Sequence, residues 1–216
     1  MRVAPSIIAA NFAAFQKEIK RIEKAGADLL HLDVMDGVFV PNLTFGPIVV
    51  DAINAITDLE LDAHLMIVNP ENYLKRFIDT GADWISFHCE ATKETDACLK
   101  YIQSRDKKAG LAINPSTPFA KIKQYIEKLN YLLIMTVNPG FYGQEFRSEV
   151  LNKIEQAKDY ISEHKLSCLL EVDGGINYAN ACLVSQAGAD IVVAGAGIFK
   201  QKDYTEAIER LRCSKV

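Results

Sequence analysis

Apolar and polar positions form two kinds of segment that alternate along the chain, roughly every 25 residues. Short apolar runs rich in β-branched residues predict strands, and longer stretches with apolar residues three or four positions apart predict helices. The predicted strands are 3–9, 29–36, 61–67, 84–90, 108–114, 131–138, 168–174 and 191–197. Amphipathic stretches such as 12–25 and 147–164 lie between them. This alternation indicates βαβ units and therefore a parallel sheet.

The number of predicted strands favours one architecture. Eight βα units in a chain of this length are typical of a closed (β/α)8 barrel, the TIM-barrel fold. The pattern AGAD or TGAD recurs at 25–28, 80–83 and 187–190, where a helix gives way to a strand and glycine suits the helix C-cap. An open doubly wound sheet is the alternative, but no G-x-G-x-x-G follows the first strand. We predict one α/β domain, a (β/α)8 barrel over residues 1–216, with its active site at the C-terminal ends of the strands.

Composition and charge limit the classes of protein to which the chain can belong. The 216 residues are 49% hydrophobic and 24% charged, which is ordinary for a globular domain. A net charge of -4 argues against nucleic-acid binding, which needs a basic face. No run approaches the ~18 apolar residues that cross a membrane, so we expect no membrane partner. The scattered cysteines form no C-x-x-C pair and predict reduced thiols in a cytoplasmic protein. They are Cys89, Cys98, Cys168, Cys182 and Cys213.

Polar residues occupy the predicted strand ends, where a barrel places its chemistry. His31 and Asp33 share one face of the second strand because side chains alternate with period two, His64 lies in the third strand, and Asp173 closes the seventh. Imidazole and carboxylate groups converging from several strands suit a divalent cation. Buried polar residues satisfied by their neighbours are the alternative, but two carboxylates would then be buried without a cation. Other polar residues near strand ends are Ser6, His88, Glu90, Asn114 and Asn138.

Methionines in the predicted strands and glycines in the loops after them indicate where a substrate could bind. Met35, Met66 and Met135 fall in predicted strands, where they could fill the core or line a site over a reactive planar intermediate. Glycine clusters follow the last three strands, within 138–144 and 173–199. Each cluster alone could be a tight turn, but backbone N–H groups of such loops can approach an anion closely. We therefore predict a phosphate site beside the cation ligands.

Five motifs spread over the chain are APSIIAANF (4–12), HLDVMDGVFVPNLTFGP (31–47), HLMI (64–67), MTVNPGFYGQEF (135–146) and LEVDGGI (170–176). Together they closely resemble the ribulose-phosphate 3-epimerase family, over essentially the whole chain. The resemblance implies a barrel that interconverts D-ribulose 5-phosphate and D-xylulose 5-phosphate. It also implies one divalent metal (zinc, iron, manganese or cobalt) held by two histidines and two aspartates, and assembly as a homo-oligomer, either a dimer or a hexamer. Carried over by motif, the metal ligands are His31, Asp33, His64 and Asp173.

The expected substrate contacts combine the strand-borne residues with the glycine loops. They are Ser6, Met35, His64, Met66, Met135, Gly140, Phe141, Tyr142, Gly143, Gly174, Gly175, Gly195 and Ala196. Among these, the resemblance gives Ser6 to the substrate and the loop residues to phosphate. Two positions depart from the family pattern: Tyr142 replaces the middle glycine of GFGGQ, and Ala196 stands where the family has a serine. We expect altered phosphate contacts at these two positions.

The predicted mechanism is a two-base 1,1-proton transfer. Asp33 removes the proton from C3 on one face to give a cis-enediolate, and Asp173 returns a proton on the other face. The assignment of each aspartate to one epimer is implied by the resemblance.

Three other functions remain open. The two departures leave D-allulose 6-phosphate open as the substrate of an epimerase. A phosphate-barrel lyase would usually rely on a lysine, and none lies in the second, third or seventh predicted strand. A non-catalytic phosphosugar-binding protein would not need the complete set of acids and ligands.

Overall fold

Eight parallel strands and the helices between them form one barrel in the computed structural model, which describes residues 1–213. The strands are β1 (Arg2–Pro5), β2 (Leu29–Met35), β3 (Glu60–Met66), β4 (Trp84–His88), β5 (Lys108–Ile113), β6 (Tyr131–Met135), β7 (Leu169–Asp173) and β8 (Ile191–Ala194). Each neighbours the next in sequence order, and β8 pairs with β1. The prediction of a (β/α)8 barrel is confirmed.

The helices pack around the outside of the barrel. The buried apolar residues of the two predicted amphipathic stretches include Ile19, Ile22, Val150, Ile154, Ala157 and Ile161. They are α1 (Phe15–Lys24), α2 (Pro47–Asn54), α3 (Leu74–Asp79), α4 (Thr95–Gln103), α5 (Leu151–Glu163), α6 (Ala181–Gln186), α7 (Ala196–Phe199) and α8 (Tyr204–Arg212). Between β5 and β6 the crossover is made of two 3-10 segments, Phe119–Lys121 and Lys123–Lys128, instead of an α-helix. The AGAD and TGAD glycines all have positive φ angles, as the capping pattern predicts.

Several strands end earlier than predicted. The run predicted as strand 3–9 pairs only over β1, and residues Ile7–Ala9 form a 3-10 turn. β8 stops at Ala194, and α7 begins two residues later. These terminal residues leave the ladder to surround the open end of the barrel. An apolar run marks burial, and it does not distinguish a strand from a buried turn.

The seam between β1 and β2 is the thinnest part of the barrel wall. A single parallel bridge joins Ser6 to His31 at the upper end. At the lower end the Asp28 backbone N–H donates to Val3 O at 3.1 Å, and the Asp28 carboxylate accepts from Val3 N at 2.8 Å. All other neighbouring strands of residues 1–213 share longer ladders.

An apolar plug closes the lower half of the barrel interior. Its buried side chains are Ala4, Leu29, Trp84, Tyr131, Ile191 and Val193. A side chain at Gly110 would place its Cβ 2.3 Å from the Tyr131 ring, so only glycine leaves room for that ring. The polar groups of the next layer rest on this plug.

The prediction of five reduced cysteines is wrong for two of them. Cys182 in α6 and Cys213, which follows α8, form a disulfide with their Cα atoms 5.3 Å apart. Since α6 and α8 pack side by side, residues 31 apart in sequence become neighbours. Cys89, Cys98 and Cys168 are free, as predicted.

Within residues 1–213, no helix combines the length and the apolar character that crossing a membrane requires.

Candidate active site

The four predicted cation ligands converge at the C-terminal end of the barrel. One ligand atom from each of His31, Asp33, His64 and Asp173 lies within 4.8 Å of the others. The β2–β3 register places Asp33 opposite His64, and Asp173 ends β7. Asp33 Oδ1 is 3.5 Å from His31 Nε2 and 3.4 Å from His64 Nδ1. The period-two pattern therefore put these side chains on the correct strand faces.

The donor set fits a divalent cation. His31 Nε2 and His64 Nδ1 are fully buried, and neither has a hydrogen-bond partner among the described residues. His31 Nδ1 lies 2.5 Å from the Asp62 carboxylate, so its proton is held there and Nε2 is left facing the cluster. The Ser6 hydroxyl donates to Asp33 Oδ2, which leaves Oδ1 directed at the two histidines. Two imidazole nitrogens with two carboxylates are ligands that Zn²⁺, Fe²⁺, Mn²⁺ and Co²⁺ accept.

The electrostatics of the cluster separate its four members. Burial would raise the pKa of Asp33, but the charge of the adjacent His31 and the nearby His64 hold it well below its usual range. Burial and the nearby Asp33 charge raise the pKa of Asp173 to about 7. Burial lowers the pKa of His64 to about 4, whereas the Asp62 and Asp33 charges outweigh burial and raise the pKa of His31. Without a cation, Asp33 is therefore ionised near neutral pH, and Asp173 holds a proton below about pH 7.

A second polar layer, which the sequence interpretation missed, lies below the ligands. Asp62 accepts from the Tyr131 hydroxyl at 2.8 Å as well as from His31. Glu171 Oε1 lies 3.5 Å from His31 Nδ1, and burial with the Asp62 charge raises the Glu171 pKa to about 8. Asp62 precedes His64 by two residues, and Glu171 precedes Asp173 by two. The same period-two rule that placed the ligands would have found both.

A pocket of about 470 Å³ opens above the cluster. Of the predicted site residues it is lined by Ser6, Asp33, Met35, Met66, Met135, Gly140, Phe141, Tyr142, Gly143, Asp173, Gly174, Gly175 and Gly195. His31 and His64 lie beneath its floor, fully buried, and Ala196 lies just outside the lining. Four lining residues were not predicted: Ile8, Val137, Pro139 and Gln144. Among the described lining residues there is no lysine or arginine.

The loop after β7 lies directly on the loop after β6. Gly175 has a φ of +64°, and a Cβ there would lie 2.6 Å from Phe146 N and 2.7 Å from Gln144 O. The Gln144 side-chain amide donates to Asn138 O and Phe141 O at 2.7 and 2.8 Å. The two glycine loops are thus one packed unit at the rim of the pocket.

Sequence comparison identifies the family that carries this site. The model of the Ribulose-phosphate 3 epimerase family matches residues 2–199. The chain belongs to the ribulose-phosphate 3-epimerase family. Its membership was predicted from the motifs and is confirmed, and so is the prediction that the chain is an enzyme of this family.

Curated members of the ribulose-phosphate 3-epimerase family match the chain from end to end. The ribulose-phosphate 3-epimerase of Bacillus subtilis is 47% identical and covers 100% of both chains. The chloroplastic ribulose-5-phosphate-3-epimerase of Arabidopsis thaliana is 46% identical over 99% of this chain and 76% of its own. The ribulose-phosphate 3-epimerase of Synechocystis is 47% identical over 99% and 94%.

Solved structures of other barrels share the fold of this epimerase-family chain. A 3-hexulose-6-phosphate synthase superposes with a TM-score of 0.70 at 19% identity and covers 99% of both chains. The thiamine phosphate pyrophosphorylase of Pyrococcus furiosus gives a TM-score of 0.67 at 13% identity, covering 98% and 93%. At these identities the likeness supports the barrel architecture alone.

In this epimerase-family chain the three methionines of the strands lie between the core and the pocket. Met35, Met66 and Met135 are all buried, and all three also line the pocket. They give it an apolar wall without an ionisable group.

Proposed function

We propose that this chain inverts the configuration at C3 of a ketose phosphate, converting D-ribulose 5-phosphate to D-xylulose 5-phosphate. The observation that carries the proposal is the pair Asp33 and Asp173. Their carboxylate oxygens lie within 4.8 Å of each other and line one pocket from β2 and β7. The names of the family relatives support the reaction and the substrate.

The two aspartates would divide the proton transfer. Asp33, held ionised, takes the proton from C3 as the C–H bond breaks, and the electron pair moves into a cis-enediolate across C2 and C3. Asp173 would take a proton from solvent and deliver it to C3 from the opposite face, and Asp33 would release its own proton to solvent. The reverse reaction exchanges the two roles. A positioned base contributes roughly 10²–10⁴ in rate.

His31, Asp33, His64 and Asp173 would hold one divalent cation (zinc, iron, manganese or cobalt). When bound, such a cation supplies a Lewis acid that stabilises negative charge on the substrate oxygens. Ser6 orients the Asp33 carboxylate through its hydroxyl and would contact the substrate.

The phosphate group would sit at the rim of the pocket. Glycine-rich backbone from the loops after β6, β7 and β8 meets there, and no cationic side chain of the described residues lines the pocket. Backbone N–H groups would therefore provide the contacts, with Gly174, Gly175, Gly195 and Ala196 on one side and residues 140–143 on the other. Ala196 retains its backbone N–H, so loss of the family's serine removes only a hydroxyl.

Turnover in deuterated water tests the proposal. The protein is first stripped of metal with a chelator and then reloaded with each metal separately. After it converts D-ribulose 5-phosphate, we expect deuterium at C3 of the product. Complete retention of protium would refute the two-base transfer. Faster turnover of D-allulose 6-phosphate would instead show a hexulose phosphate epimerase. Carbon–carbon cleavage products would show a lyase, and binding without turnover a non-catalytic sugar-phosphate protein.

We also expect a cytoplasmic homo-oligomer, a dimer or a hexamer, which light scattering of the purified chain would distinguish from a monomer.

A further inference from the structure

Below the pocket, His64 touches a second histidine that the proposed reaction does not use. His64 Nε2 lies 2.8 Å from His88 Nε2, and the two rings stack with their centroids 5.0 Å apart. Both side chains are fully buried. Because two bare imidazole nitrogens at this distance would repel, one of them carries a proton directed at the other.

Glu90 determines which nitrogen carries that proton. Its Oε1 accepts from the Thr117 hydroxyl and from Asn114 N, the latter at 3.1 Å. Its Oε2 lies 3.3 Å from His88 Nδ1, and among residues 1–213 neither of these two buried atoms has another partner. A carboxylate can only accept hydrogen bonds, so the proton of a neutral His88 lies on Nδ1. His88 Nε2 is then the acceptor.

The position of the proton on His88 also determines which nitrogen of His64 is protonated. If His88 Nε2 accepts, His64 carries its proton on Nε2, and its Nδ1 has a free electron pair. His64 Nδ1 is the buried nitrogen that faces the ligand cluster, 3.4 Å from Asp33 Oδ1. Phe39 packs on the His88 ring at a centroid distance of 4.8 Å and limits its rotation. Asp33 Oδ1 competes for a proton on His64 Nδ1, but it also has His31 Nε2 beside it at 3.5 Å, whereas Glu90 Oε2 faces only His88 Nδ1. The proton on His88 Nδ1 is therefore favoured.

We infer that Glu90 and His88 are positioning residues, which select the His64 tautomer whose Nδ1 electron pair faces the proposed cation site. The inference rests on the proposed function only in taking the cluster as a cation site. The sequence had placed both residues near a strand end without giving them a task. Outer partners of this kind commonly change metal affinity 10–100-fold when they are replaced.

The substitution Glu90→Gln reverses the hydrogen bond at nearly constant shape. The glutamine carbonyl can continue to accept from Thr117 and Asn114 N, which places its NH₂ group against His88 Nδ1. His88 Nδ1 must then accept, its Nε2 becomes the donor, and the His64 proton moves to Nδ1. We expect Co²⁺ added to the metal-free variant to bind about 10–100-fold more weakly than to wild type, with a changed visible spectrum of the bound ion.

Glu23→Gln is the matched control. Glu23 also accepts from a threonine hydroxyl and a backbone N–H, those of Thr57 and Asp58 at 2.8 and 2.9 Å, and it lies outside the pocket lining. We expect this variant to bind Co²⁺ with wild-type affinity and an unchanged spectrum. Equal Co²⁺ affinity and spectra for wild type, Glu90→Gln and Glu23→Gln would show that Glu90 has only a structural role and would overturn the inference.

Nitrogen-15 NMR of the histidine rings reads the tautomer directly in metal-free wild-type protein. We expect the His64 proton on Nε2 and the His88 proton on Nδ1. A proton on His64 Nδ1 would overturn the inference even if Glu90→Gln failed to fold. Failure of the wild type to bind Co²⁺ would refute the proposed cation site instead, while the NMR result would still decide whether the hydrogen-bonded relay exists.

Discussion

Asp33 and Asp173 line one pocket, and their surroundings move their pKa values in opposite directions. Asp33 has two histidines beside its carboxylate, and Asp173 has mainly a buried environment and the charge of Asp33. Below about pH 7 the metal-free protein thus holds an ionised and a protonated carboxyl group within 4.8 Å of each other.

Asp173→Asn should lower the activity without lowering the stability of the metal-free protein. We expect kcat to fall by at least ~10², because the variant cannot exchange a proton at C3 on its side. Proton exchange from one epimer into solvent can continue through Asp33. Nuclear magnetic resonance of each epimer in deuterated water measures both quantities, and wild-type kcat in the variant would exclude Asp173 as an acid–base residue.

The same substitution should stabilise the metal-free protein at high pH. The folded-state pKa of Asp173 is about 7 against a usual value of 3.8, so between these pH values the folded state binds more protons than the unfolded state. The free energy of unfolding of wild type therefore falls as pH rises through this window. The Asp173→Asn variant does not lose this stability, because asparagine does not titrate. We expect the Tm advantage of Asp173→Asn to be small at pH 4 and full above pH 7, with about 2–4 °C for each kcal/mol. The exposed Asp159 on α5 supplies the control, Asp159→Asn, which makes the same change outside the ligand cluster.

Cation affinity should rise with pH. In the metal-free protein Asp173 has a pKa of about 7 and the pKa of His31 is raised, so both must lose protons to become ligands. Protons and the cation therefore compete, and affinity should change by about tenfold per pH unit for each proton displaced. Calorimetric titration with Co²⁺ at pH 6 and 8, in two buffers of different ionisation heat, counts the released protons. A Kd independent of pH would contradict this expectation.

Gly175→Ala should disturb the rim of the pocket. The positive φ costs an alanine about 1–2 kcal/mol, and its Cβ would press on Phe146 N and Gln144 O in the loop after β6. We expect KM for the sugar phosphate to rise more than kcat falls. Gly26→Ala has a comparable φ of +87° with no atom within 4 Å, so it should cost stability and leave KM unchanged. Equal kinetic effects from both variants would show that the loop contact is unimportant.

Reduction of Cys182–Cys213 should lower stability more than it lowers activity. The bond closes a segment of 31 residues that includes β8 and α7, and chain entropy assigns such a loop about 3–4 kcal/mol. We expect the Tm to fall by on the order of 10 °C with reductant or in Cys213→Ser. Thiol titration of the reduced native protein should show two reactive groups, because burial raises the pKa of Cys89, Cys98 and Cys168 to about 12. A Cys213→Ser variant with wild-type Tm would show that the bond adds no stability.

Sequence periodicity was sufficient for the barrel and for the residues that face its upper end. His31, Asp33, His64 and Asp173 alternate with apolar neighbours, and a period of two assigns such residues to one face without knowledge of the fold. Asp62 and Glu171 obey the same rule but were passed over, because they lie one layer deeper than the strand ends.

Other features depend on packing between distant elements. The disulfide requires α6 and α8 to lie side by side, which no local pattern encodes. Similarly, the end of β1 depends on how Ile7 is buried beyond the last ladder pair. The contact between Glu90 and His88 depends on rotamers that sequence spacing does not fix.

The thin seam between β1 and β2 lies next to the ligand cluster. His31 is both the β2 residue of the single upper bridge and a member of the cluster, while Asp173 lies on the far side of β8 and β1. A cation held by both His31 and Asp173 would link β2 to β7 across that seam. Transient local unfolding at this edge would then require release of the ion, so amide hydrogen exchange at Val3 and Ala4 should slow on metal loading. The backbone of the first strand would thus report occupancy of a site to which it contributes no ligand.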